Sequence, residues 1–187
     1  METADTPRTQ YDLFLVDPPW PKKKGGLRAA RPNQGRELDY TTMTVPEIFI
    51  LLDKDLFQCA AAQHSVFLWA VDEFLFDAEW EMRQRGYKRH ARLIWDKENG
   101  VAPAFSIRYS HEYLLWFYKP KFSQVSAETQ GKFTTVLRER ARQHSRKPEI
   151  AFTMLEQMFP NAIKMDAFSR QTRPGWDSYG NQVTYFD

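Results

Sequence analysis

The sequence predicts an α/β fold, a mostly parallel sheet with helices on both faces, and three observations predict it. Residues 11–16, 65–71 and 162–168 are apolar runs rich in β-branched and aromatic residues, with the length and continuity of buried parallel strands. Segments of helical period separate most of the strands, which is the alternation of a three-layer α/β domain. Residues 90–96 and 111–118 follow one another with no helix between them, which predicts one antiparallel pair inside the sheet.

Each element has its own signal. The strand over 11–16 must stop at Asp17-Pro18-Pro19-Trp20, because two prolines cannot donate to a ladder. Residues 21–39 carry Lys22, Lys23, Lys24, Gly25, Gly26, Arg28, Arg31 and Arg36 and predict a long basic loop at the mouth of the strand end. Tyr40-Thr-Thr-Met-Thr44 leads into a helix expected over 45–61, with Thr44 and Glu47 as a capping box and Ile48, Leu51, Leu52 and Leu56 turned inward. Asp72, after the second strand, is expected to cap a helix to Gln84 that Gly86 closes as a C′ glycine. The strand over 90–96 alternates enough to lie nearer a sheet edge, and Asn99-Gly100 turns the chain toward the strand over 111–118. Residues 119–147 predict a second basic loop, with Pro148 at N1 of a helix to about Met158. The strand over 162–168 follows, and a short last strand is expected over 183–186.

Composition bounds the partners. The chain has 187 residues, 42% hydrophobic and 15% aromatic, enough for one full-sized core. The expected organisation is a lead-in over 1–10 and one domain over 11–187. A single cysteine, Cys59, excludes a disulfide framework and a thiolate zinc cluster, so no metal is expected and the setting reads as reducing and cytoplasmic. No run approaches the ~20 apolar residues of a membrane span. Net charge is only +2, yet residues 21–39 and 119–147 hold 14 of the 26 Lys and Arg and 4 of the 24 Asp and Glu. Two basic segments without apolar periodicity point to loops facing a polyanion; solvated surface loops are the plainer alternative.

The strand end carries the chemistry. In an open α/β sheet ligands bind beyond the carboxyl ends of the strands. An amino group on a planar base is a poor nucleophile because its lone pair is delocalised into the ring. Asp17 can accept one of its N–H groups and the Pro18 carbonyl the other, drawing the nitrogen toward a pyramidal geometry. Trp20 can stack on the base, a contact worth ~1–3 kcal/mol. Taken alone, these four residues are equally consistent with a rigid turn that ends a strand.

The full set of motifs is more specific. Asp17-Pro-Pro-Trp20, Tyr40-Thr-Thr-Met-Thr44, Phe67-Leu-Trp69, Trp95-Asp-Lys97, His111-Glu112, His144-Ser-Arg-Lys-Pro-Glu149, Asp166-Ala-Phe-Ser-Arg170, Gly175-Trp176 and Gly180-Asn-Gln182 occur in that order. Together they resemble the MT-A70 family of S-adenosylmethionine-dependent adenine-N6 methyltransferases over almost all of residues 11–182. The resemblance implies a Rossmann-like methyltransferase fold in which the catalytic strand precedes the main cofactor-binding strand. No G-x-G-x-x-G occurs, which is in keeping with a cofactor that has no phosphate.

By the same resemblance Asp17, Pro18, Pro19 and Trp20 form the catalytic motif. Asp17, Lys147, Asp166, Phe168, Arg170, Arg173, Asn181 and Gln182 meet the cofactor, with Lys147 on the methionine carboxylate and Arg170, Asn181 and Gln182 at the ribose. Tyr40 and Glu112 line the target-base pocket, and Lys22, Lys23, Lys24 and Arg28 grip the substrate backbone. The expected reaction is methyl transfer from S-adenosylmethionine to N6 of adenine in flipped-out DNA, leaving S-adenosylhomocysteine and using no metal. The short chain without a zinc-finger module resembles the bacterial and phage DNA enzymes, and family habit implies a homodimer. RNA as substrate, and an inactive nucleic-acid-binding scaffold, are the alternatives.

Overall fold

The computed structural model describes residues 9–21, 40–100 and 107–187. Its frame is a seven-stranded sheet: β1 (Tyr11–Val16), β2 (Ala60–Ala70), β3 (Lys88–Asp96), β4 (His111–Lys119), β5 (Val136–Arg138), β6 (Lys164–Ala167) and β7 (Trp176–Tyr179). Their spatial order is β5-β3-β4-β2-β1-β6-β7. Strand β4 pairs antiparallel with both β2 and β3, and the other pairings are parallel. The chain leaves β1 toward β2 on one side and later returns to β6 on the other. The exit of β1 is therefore the topological switch point, where open α/β sheets hold ligands.

Both faces of β1 are buried, which is why its sequence is apolar without alternation. Phe14 and Val16 pack with α1 (Val45–Leu51) and α2 (Leu75–Gln84), while Leu13 and Leu15 pack with α3 (Glu149–Met158). Thr44 and Glu47 make the expected capping box: Glu47 Oε2 accepts from the Thr44 backbone N–H at 2.7 Å, and the Glu47 N–H donates back to Thr44 Oγ1 at 3.4 Å. Gly86, at φ +79°, closes α2 as expected. Its N–H donates to the Arg83 carbonyl and that of Tyr87 to Met82, the pair of bonds that defines a Schellman end.

Several expectations are corrected. The helix expected over 45–61 is α-helical only to Leu51, passes through a π-turn at Leu52–Leu56 and a 3-10 turn at Phe57–Cys59, and gives way to β2 at Ala60. The wider turn lets Leu52 and Leu56 both stay buried beside Ile48, whereas Leu51 is only half-buried. Asp72 does not cap α2 but opens a 3-10 turn, Asp72–Phe74, that leads into it. The second basic segment contains β5, and Pro148 is the N-cap of α3 rather than its first residue. Residues 183–186 form turns, not a strand; the last strand is β7, seven residues earlier in the chain at its start.

Candidate active site

The carboxyl ends of the parallel strands open into one cleft of about 970 Å³, lined by Asp17 to Pro21, Tyr40, Lys97, Glu112, residues 141–147, Phe168, Arg170 and residues 178–182. The topology accounts for this convergence. Asp17 leaves β1, Phe168 leaves β6 and Gly180 leaves β7. Strand β4 runs the opposite way, so its first residues, His111 and Glu112, reach the same edge beside Trp95 and Asp96.

Four charges alternate across the floor. Lys147 Nζ lies 2.9 Å from Asp17 Oδ1 and 3.0 Å from Glu112 Oε2, and Lys97 Nζ donates to Glu112 Oε1 at 2.5 Å. Burial alone would raise Glu112, but Lys147 and Lys97 hold it down at about 2. At Asp17 the balance goes the other way: burial wins over the single shared lysine and pushes the carboxyl above its ordinary value, with Glu112 adding to the rise. Lys147 is penalised by burial yet held well above an ordinary lysine by its two carboxylates. Asp166 is pushed by burial up to about 7, against the opposing pull of Ser169.

The Asp17 motif is locked from several sides. The Asp17 N–H donates to the Ala167 carbonyl, Trp20 N–H to Pro18 O at 2.8 Å, and Met43 N–H to Pro19 O. Trp20 stacks on Phe74 with centroids 5.4 Å apart and an interplanar angle of 10°, and its Nε1 donates to the Trp69 carbonyl at 3.0 Å. One Trp20 face is therefore occupied from within the protein. Tyr40 Oη and Ser145 Oγ are 3.1 Å apart, tying the two walls together.

The far end of the cleft is shaped by backbone. Phe168 adopts φ +60° and Ser145 φ +64°, a conformation that costs non-glycine residues free energy and gathers at functional sites. Gly180 passes so close to the β6 exit that a Cβ there would lie 2.9 Å from the Ser169 carbonyl oxygen. Arg170 lies against Tyr185, its guanidinium carbon 3.8 Å from the ring centroid, with Phe186 at 4.7 Å and Tyr40 at 5.2 Å. Asn181 and Gln182 line the same end.

Of the residues singled out in the sequence, the structure brings Asp17, Pro18, Pro19, Trp20, Tyr40, Glu112, Lys147, Phe168, Arg170, Asn181 and Gln182 around this cleft. Asp166 sits behind it, beside a void of about 30 Å³ that also touches Asp17 and Lys147. Arg173 goes elsewhere: it pairs with Glu149 and Glu156 and lies over Phe152, so it braces α3. Lys22, Lys23, Lys24 and Arg28 lie outside the described residues. Two partners were not given roles from sequence. Lys97 completes the charge row, a role its place after a strand end could have signalled. Glu139 accepts the Glu149 and Ile150 N–H groups at 2.9 and 2.8 Å, supplying the negative charge that a helix N-terminus favours and Lys147 does not.

No group of His, Cys, Asp and Glu suited to a metal occurs among the described residues, and no described helix is long and apolar enough to cross a membrane. The family model for MT-A70 matches residues 11–182. A protein of Arabidopsis thaliana described as an N(6)-adenosine-methyltransferase MT-A70-like is 27% identical over 182 residues, covering 92% of this chain and 24% of the relative. One of Medicago truncatula, putatively of the same kind by its description, is 26% identical over 94% of this chain and 27% of its own length. The Type II methyltransferase M.MunI of Mycoplasma sp is 24% identical over 195 residues, 95% of this chain and 79% of that protein. The chain thus spans about a quarter of the length of the plant relatives it matches. With a match that runs from the first strand through the Gly180-Asn181-Gln182 turn, the chain belongs to the MT-A70 family.

Proposed function

We propose that this chain transfers a methyl group from S-adenosylmethionine to N6 of adenine in DNA. The observation that carries the reading is the row Asp17–Lys147–Glu112 at the switch point of the sheet, on the floor of a cleft whose volume of about 970 Å³ is large for one small ligand and ample for two.

The donors and acceptors present fit that cofactor. Lys147 has three N–H groups and spends two on Asp17 and Glu112, which leaves one for a carboxylate. Asn181 and Gln182 carry donor and acceptor in one side chain, as a ribose diol requires, and Phe168 and Arg170 bound the same end. Bound there, the cofactor supplies an electrophilic methyl group on a sulfonium.

The chain's part is positioning and electrostatics. With Oδ1 on Lys147, Asp17 has Oδ2 for one N–H of the adenine amino group, and its raised pKa suits it to receive the proton the nitrogen sheds. The Pro18 carbonyl has a second lone pair beyond the one facing Trp20 N–H. The open face of Trp20 is offered to the base, while Tyr40 and Glu112 bound the pocket. The base must leave its stack, at a cost of a few kcal/mol in a duplex. A homodimer, in which the second subunit helps to hold the nucleic acid, belongs to the same proposal.

M.MunI, matched over 79% of its length, favours DNA. The adenosine named in the plant descriptions favours RNA as the second reading. The test is label transfer from methyl-tritiated S-adenosylmethionine to matched DNA and RNA oligonucleotide pools, with Asp17→Ala as control. Label on adenine N6 in DNA that the variant does not produce is the expected result. Label in RNA alone reverses the polymer, and full activity of Asp17→Ala overturns the assignment.

A further inference from the structure

Ser169 raises a question of proton count. Its Oγ lies 2.8 Å from Asp166 Oδ2 and 2.6 Å from the Gln171 carbonyl oxygen, and the Gln171 N–H points back at it from 3.4 Å. Both Asp166 and Ser169 are buried. A serine hydroxyl has one proton, whereas a carboxylate and a carbonyl are acceptors only. If Asp166 were ionised, one of these two short contacts would be a buried oxygen–oxygen contact with no proton in it. A proton on Asp166 Oδ2 removes the conflict: the acid donates to Ser169 Oγ, which donates to Gln171, and the Gln171 N–H completes the acceptor side.

From this geometry we infer that Asp166 is a neutral carboxylic acid in the working protein and a positioning residue whose proton holds the turn after β6 in shape. The surroundings agree. Asp17 at the end of β1 opposes a second negative charge here, and β1 and β7 place uncharged Leu15 and Ser178 opposite Asp166. Among the described residues, Arg173 pulls the other way, and Arg146, Lys147 and Arg170 border the shared void, with Lys147 already paired with Asp17 and Glu112. The turn held this way sets the cofactor end of the cleft. It includes Phe168 at φ +60°, Ser169 N–H on the Tyr179 carbonyl, and Arg170, and it is the surface Gly180 packs on. Loss of the proton sets a carboxylate against a hydroxyl already committed to Gln171, and the turn loosens.

The inference rests on the proposed cofactor site for one readout and is independent of it for two. Binding of S-adenosylhomocysteine, measured by calorimetry, should weaken from pH 6 to pH 8 by up to about tenfold, since a group titrating near 7 is then about one-tenth protonated. Asp166→Asn keeps a donor toward Ser169 and should bind with little change across that range. Without any ligand, the unfolding midpoint of the wild type should fall as pH rises from 5 to 8 more than that of Asp166→Asn. The side-chain carboxyl ¹³C resonance of Asp166, assigned through its backbone, should titrate near 7. A carboxyl that titrates near 4, or an Asp166→Asn protein as pH-dependent as the wild type in both assays, overturns the inference. Failure to bind the cofactor at all, with the carboxyl still titrating near 7, overturns the proposed function and leaves this inference standing.

Discussion

Lys147 is the residue on which the floor of the cleft depends. Its ammonium lies 2.9 and 3.0 Å from two half-buried carboxylates, and a buried pair broken on one side leaves uncompensated charge, at a cost of up to about 3–5 kcal/mol. Lys147→Met should therefore destabilise the protein by that order in urea unfolding at pH 7. The deficit should narrow as pH falls, because Asp17 is already raised and protonates readily once its cation is gone. Glu112 gives the opposite pH signature. Its folded pKa of about 2 lies below the ordinary glutamate value, so it contributes stability that is present above about 4.5 and lost as pH falls toward 2. The difference between wild type and Glu112→Gln should be about 3 kcal/mol at pH 6 and close toward pH 2.5, as read from unfolding midpoints. A difference that holds constant with pH would mean Glu112 acts through packing rather than charge.

Two glycines distinguish a conformational need from a spatial one at the level of elements. Gly86 has φ +79° and room for a methyl group, the nearest atom being Lys119 Cε at 3.7 Å, so Gly86→Ala should cost about 1 kcal/mol and leave the cleft unchanged. Gly180 has no such φ, but its Cβ would meet Ser169 backbone at 2.9 Å. Gly180→Ala should cost more and also weaken S-adenosylhomocysteine binding, because it pushes the β7 exit off the β6 exit. Calorimetry on both variants separates the two. The same elements show what the sequence could reveal. Strands β1, β2, β4 and β6 were legible because they are buried on both faces and so read as apolar runs. Strand β5 has three residues with one buried, and β7 has one buried residue in four; neither carries a pattern. Residues 183–186 looked like a strand because of their Val, Tyr and Phe, but Tyr185 and Phe186 are there to face Arg170 and Arg146. Aromatic residues favour sheets by propensity, but here they serve cation–π contacts. Asp17, Lys147 and Glu112 were legible as motif members, but their mutual pairing was not, since it depends on β4 running against its neighbours.

At the scale of the whole molecule, the proposed function predicts that cofactor binding and nucleic-acid binding answer differently to salt. The net charge is +2, too small for general attraction to a polyanion, whereas Lys97, Arg142 and Arg146 border the cleft of about 970 Å³ and residues 21–39 add six Lys and Arg. A strand laid across that cleft with about four phosphates neutralised should lose affinity by about a hundredfold between ~50 and ~200 mM salt. S-adenosylhomocysteine, which would be held by the half-buried Lys147 and by the amides of Asn181 and Gln182, should change its affinity far less, because a small zwitterion releases few counterions on binding. Parallel titrations of a fluorescent DNA oligonucleotide and of the cofactor product at both salt concentrations test the division. A flat salt response for the oligonucleotide would mean that the basic segment over 119–147 serves the fold, with Arg142 on Glu139 and Glu149 as its pattern, and that phosphate contact comes from elsewhere.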